Sequence, residues 1–142
     1  MNHYRDCENF RLVLIILTSS FVIFSGCGEP MDANLVHVQG KVTLNGVPVP
    51  MGMVIFQPNS TKGNRGPQSH ANIRNGIFDT RQSGKPVVLG PQRVLIYGGD
   101  GNDPDPDNPF GKTLIQEHLI HIDISRDSPA LQFDLIGLNK WK

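Results

Sequence analysis

Over residues 36–44 the chain alternates strictly: Val36, Val38, Gly40, Val42 and Leu44 hold one parity, and His37, Gln39, Lys41 and Thr43 hold the other. A period of two sends the first set to one face of a strand and the second set to the opposite face. Asn45-Gly46 follows at once, a strong hairpin signal because both residues tolerate the positive φ of a tight turn. The theme recurs along the chain. Residues 53–57 are bracketed by Gly52 and Pro58, and Ala71 and Ile73 lead into a second Asn75-Gly76 before Ile77 and Phe78. Residues 87–89, the Gly90-Pro91 pair and residues 93–97 read as strand, turn, strand. His118, Ile120, Ile122 and Ile124 share a parity, as do Leu131, Phe133 and Leu135. These segments predict an all-β fold, a single β-sandwich of about seven strands. Residues 113–118 have helical potential, but the stretch is too short to change the class.

Composition narrows the classes. With 15 glycines and 11 prolines among 142 residues the chain is too rich in turns for a helical bundle, and at 38% hydrophobic it is too apolar for a disordered one. Thirteen basic side chains balance thirteen acidic ones, so no net positive charge draws the chain to nucleic acid.

The first 27 residues have a different character. Arg5 and Arg11 precede an uncharged apolar run over residues 12–24, followed by Ser25, Gly26 and Cys27. Thirteen helical residues span about 20 Å, short of the roughly 30 Å hydrocarbon core. The run therefore reads as the apolar region of an export signal. Ser25-Gly26-Cys27 resembles the lipobox of bacterial lipoproteins, in which a peptidase cuts before a cysteine whose thiol carries a diacylglycerol. The resemblance implies a signal peptide over 1–26, lipidation at Cys27 and a lipidated tether over 27–35. Gly28, standing where an aspartate would signal inner-membrane retention, implies the outer membrane. An uncleaved anchor and a simply secreted chain are the alternatives. Cutting before Cys27 also discards Cys7 and leaves one cysteine, so the mature domain holds no internal disulfide.

Beyond the tether, Val38, Gly40, Val42, Gly46, Pro48, Gly52, Val54 and Phe56 match the opening of carboxypeptidase regulatory-like domains, which read V-x-G-x-V-x-x-x-G-x-P-x-x-x-[AG]-x-[IV]-x-[FL]. Asn75-Gly76-Ile77-Phe78 is similar to that family's D-G-x-F hairpin, and residues 90–94 to its proline-glycine region. The resemblance implies an immunoglobulin-like, transthyretin-like sandwich over 36–138, followed by a tail over 139–142. It implies a non-enzymatic binding or structural module, since in the carboxypeptidases this domain stands beside the catalytic one.

Tests for chemistry in the residues point the same way. None of the five histidines is followed by a glutamate three positions on, the spacing a zinc carboxypeptidase needs. His118 and His121 stand three apart, which on a strand sends them to opposite faces, one partly buried and one exposed. There is no G-x-S-x-G elbow, and residues 98–101 lack the Lys-Ser/Thr of a phosphate cradle. No catalytic residue and no cofactor is assigned; an enzyme of unrecognised type is the alternative.

Asp100, Asp103, Asp105 and Asp107 crowd into eight residues, interleaved with Pro104 and Pro106. Three readings apply: a solvated acidic loop, a Ca²⁺-ordered loop using oxygen ligands, or a contact for a basic partner. Prolines hold the chain extended and spread the carboxylates, which argues for the first. Residues 59–68 carry Lys62 and Arg65 with no aromatic side chain, the pattern of a flexible hairpin tip; only Tyr97 is available for stacking on nucleic acid. Trp141, between Lys140 and Lys142, suits either packing against the sandwich or a lipid interface. The expected partner is the membrane through Cys27; the alternative to a general binding or structural module is a carbohydrate- or protein-recognition domain that takes an envelope protein or glycan through loops 58–69 and 98–112.

Overall fold

The structure is a computed structural model that describes residues 34–128 and 130–137. Cys7, Cys27, Trp141 and the whole expected signal peptide lie outside the described residues, as does most of the expected tether.

The fold is all-β and sandwich-like. Ten strands run β1 (Leu35–Val36), β2 (Gln39–Leu44), β3 (Val47–Pro48), β4 (Met51–Pro58), β5 (Ser69–Arg74), β6 (Ile77–Asp79), β7 (Val87–Val88), β8 (Gly90–Gly99), β9 (Thr113–Ile124) and β10 (Leu131–Leu135). Three of them are only two residues long, which is why about seven are visible as periodic runs. The main sheet has the order β10-β2-β6-β5-β4-β8-β9, with β3 also on β2, and β10 joins β2 in parallel. A separate ribbon pairs β1 with β7. The alternating run at 36–44 is thus shared between two sheets, with a break at His37 and Val38.

Both Asn-Gly pairs make the turns expected of them. Asn45 and Gly46 have φ of 52° and 80°, Asn75 and Gly76 of 50° and 76°, and each closes a two-residue hairpin. At the second hairpin only Arg74 and Ile77 are in register, and β6 pairs along its length with β2 instead. Phe78 on β6 then meets Phe56 on β4, with centroids 6.0 Å apart, and stacks on Phe133 of β10 at 5.9 Å. These rings join Val42, Val54, Val94, Ile96 and Ile124 in one core.

Two glycines of the opening motif are required by packing. A Cβ on Gly40 would stand 2.2 Å from the Leu131 carbonyl and 2.7 Å from the Phe78 ring; one on Gly52 would stand 2.1 Å from the Tyr97 carbonyl. Backbone and ring occupy the space that a side chain would take.

Three local expectations are corrected. Gly90-Pro91 is not a turn: both residues lie within β8, Pro91 opposite Asp123, and the change of direction falls at Leu89 between the ribbon and the main sheet. Residues 113–118 are strand, because pairing with β8 overrides local helical preference. One helical turn, α1 (Thr80–Ser83), stands where no periodicity announced it; Asp79 caps it by accepting from the Arg81 amide at 2.9 Å.

Candidate functional site

The acidic loop leaves β8 at Asp100 and returns to β9 at Thr113. Its base continues the strand pairing, with the Asp100 amide donating to Lys112 O at 3.0 Å and the Gly101 amide to Phe110 O at 2.9 Å. Asp100 then closes the loop with its side chain. Its Oδ1 accepts from the amides of Asn102 (2.9 Å) and Lys112 (3.0 Å), tying together residues twelve apart in sequence. Asp105 repeats the device at the tip, where Oδ1 accepts from the amides of Asn108 (2.7 Å) and Asp107 (2.8 Å). These donors favour the charged form of each acid. The Asn102 amide chiefly holds Asp100 below the usual carboxylate range, and the Asn108 amide does the same for Asp105.

The four acids therefore divide into two pairs. Asp100, half-buried, and Asp105, exposed, act as backbone caps; Asp103 and Asp107 are exposed as well, and Asp103 adopts a φ of 47°. Between them lies an open depression of about 500 Å³ lined by Asp100, Asp103, Asp105, Asn108 and Lys112. Among the described residues no three acidic, histidine or cysteine side chains converge as a metal ion would require.

The loop at 59–68 is pinned, against the expectation of a flexible tip. Residues Ser60–Lys62 form a 3-10 turn, and the Asn59 amide donates to Pro91 O at 2.9 Å. The Asn64 side-chain nitrogen donates to Pro91 O at 2.8 Å and to Leu89 O at 3.1 Å. Asn64 thus bridges this loop to the crossing between the ribbon and the main sheet, and a signal for it exists only in the generic turn preference of asparagine.

The structure does not bring the two candidate recognition loops together. Pro58 pairs with Gln92 and Met51 with Gly99, so residues 59–68 cap one end of β4 and β8 while residues 100–112 cap the other. The ten residues of β8 separate the ends by roughly 30 Å at about 3.3 Å per residue.

His118 is half-buried and His121 exposed, on opposite faces of β9 as the strand period requires. Tyr97 lies on the outer face, where its hydroxyl donates to Glu117 Oε2 at 2.7 Å. That hydrogen bond, aided by burial and by the carboxylate's charge, raises the Tyr97 phenol above its usual range. The pair continues the register that sets Leu95 against Leu119 and Ile96 against His118; directly beyond it a bulge gives β9 one extra residue, so that Gly98 faces Ile115. No sequence period marks it.

Compared with protein-family models, with curated proteins and with solved structures, the chain finds no match in any of the three.

Proposed function

We propose that this chain is a non-enzymatic, lipid-anchored envelope protein whose sandwich serves as a binding or structural module, with the acidic loop as its presented end. The observation that carries the reading is where the chain enters the fold. Leu35 and Val36 pair with Val88 and Val87, and the Leu89 amide donates to Asn34 O at 2.8 Å, beside the pinned loop at 59–68. Entry is thus at the end opposite residues 100–112. Lys62 and Arg65 stand at the end of the sandwich where the chain enters, and the loop carrying Asp103 and Asp107 stands at the other end, roughly 30 Å along β8. The resemblance of residues 38–56 to carboxypeptidase regulatory-like domains supports the module reading, and the close packing at Gly40 and Gly52 supplies a physical reason for that motif.

Anchoring follows from lipid chemistry. One acyl chain attaches a protein only marginally, whereas the two or three of a bacterial lipoprotein hold it durably. Among the described residues no helix is long and apolar enough to cross a membrane.

Membrane fractionation tests the proposal. The full-length chain should stay in the membrane pellet through high salt and alkaline carbonate and leave it only with detergent, whereas Cys27→Ala should lose fatty-acid labelling and signal cleavage. A Cys27→Ala chain unchanged in size and lipid labelling would overturn the anchoring.

A further inference from the structure

Strand β9 ends the main sheet, and among the described residues no strand pairs with its other edge. At twelve residues it is the longest strand. Its first part is irregular, since both register shifts against β8 fall between Ile96 and Gly99. From His118 to Ile124 the pairing with Ile96 to Gly90 is unbroken. Free edges of this kind are usually blunted by lysine, proline, a bulge or a short length. The segment His-Leu-Ile-His-Ile-Asp-Ile has none of these and a single acid, Asp123. Left open, seven such residues form a template for intermolecular pairing.

The outer face continues the theme. Ile55, Leu95 and Leu119 stand side by side across β4, β8 and β9. Leu95 is buried although it lies outside the core cluster, shielded on the outer face, and Leu119 at the end of the row is 41% exposed. The apolar row thus runs to the sheet edge and stops there.

We propose that β9 pairs antiparallel with β9 of a second copy of this chain, about a two-fold axis at Leu119. An isologous contact must satisfy itself. With the axis at Leu119, each Leu119 meets its counterpart and the apolar row becomes continuous across both sheets. Two positions away on either side, Glu117 of one copy faces His121 of the other, an acid against a group that can carry positive charge. Moving the axis to Ile120 sets Glu117 against Asp123, and moving it to His121 sets Leu119 against Asp123. An axis at Ile122 would also set His121 against Asp123 but would leave Leu119 opposite Ser125, so continuity of the row selects Leu119; residues 121–124 of each copy then lie opposite residues 114–117 of the other, past the bulge of β9.

Directly opposed residues in an antiparallel pair have Cα atoms about 4.5 to 5.5 Å apart, within the range that a disulfide bridges. Leu119→Cys in the full-length chain, oxidised in the envelope and run on a non-reducing gel, should give at least tenfold more covalent dimer than the parent chain with its own cysteines. Gln132→Cys, on β10 at the other sheet edge, should stay at the parent level. Light scattering of the detergent-solubilised parent should give twice the chain mass, and Leu119→Lys, with an unchanged melting temperature, should give the single mass. A parent chain that is monomeric at tens of micromolar overturns the proposal, as does Leu119→Cys dimer no greater than that of Gln132→Cys. A Leu119→Lys chain that stays dimeric, or an edge covered by a different protein, also overturns it.

Discussion

The Thr80 hydroxyl accepts a hydrogen bond from the Val38 amide at 2.9 Å and donates one to the Val38 carbonyl at 3.1 Å, while the Thr80 amide donates to that same carbonyl at 2.9 Å. Val38 lies between β1 and β2, where no strand pairs with it, and Thr80, fully buried at the start of α1, takes a strand's place. The first helical turn after β6 exists to deliver this residue. Thr80→Val keeps the shape and removes the hydroxyl, leaving a buried amide unsatisfied, and should destabilise the domain by about 1 to 3 kcal/mol in urea unfolding. Thr80→Ser, which retains the hydroxyl, should lie much closer to the parent chain.

Gly40 sits between the Phe78 ring and the Leu131 carbonyl. Gly40→Ala should force β10 away from β2 and cost about 1 to 3 kcal/mol by overpacking, read as a lower melting temperature with faster amide exchange over residues 131–135. Gly46→Ala, whose Cβ would meet open space but at a φ of 80°, should show turn strain without disturbing β10.

For the acidic loop the sign of the pH dependence is set by its caps. Asp100 and Asp105 have folded-state pKa values below the usual carboxylate value. Their contribution is complete above that usual value of about 4 and is lost as the pH falls through the depressed folded-state values. Below about pH 4, amide protection at Asn102, Lys112, Asp107 and Asn108 should fall while the core strands stay protected. Asp100→Ala should reproduce the loss at Asn102 and Lys112 at neutral pH.

Calcium provides a separate check on the same loop. With Asp100 and Asp105 accepting from backbone amides and no three acids converging among the described residues, the melting temperature should not move between zero and 5 mM Ca²⁺. A rise of several degrees that Asp103→Asn abolishes would show that the loop closes around the ion.

Much of this architecture is legible as periodicity. Val42 and Phe133 point inward where their parity places them, and the two Asn-Gly turns stand where hairpins are expected, because each of these features depends only on near neighbours. What periodicity misses is set by distant partners. Thr80 is defined by Val38, Asn64 by carbonyls 25 and 27 residues on, and the Tyr97–Glu117 pair by the register of β9 against β8. The acidic loop is halfway between these cases: its charges are plain in the sequence, but the choice of Asp100 and Asp105 as caps depends on backbone amides that composition does not place.

The central claim, a sandwich held at the envelope by a lipid on Cys27, is tested most directly by the intact mass of the chain extracted from membranes. The mature protein should begin at Cys27, lack residues 1–26 and carry the added mass of a diacylglycerol, with or without a third acyl chain. A chain that retains residues 1–26, or one that begins elsewhere without lipid, would contradict it.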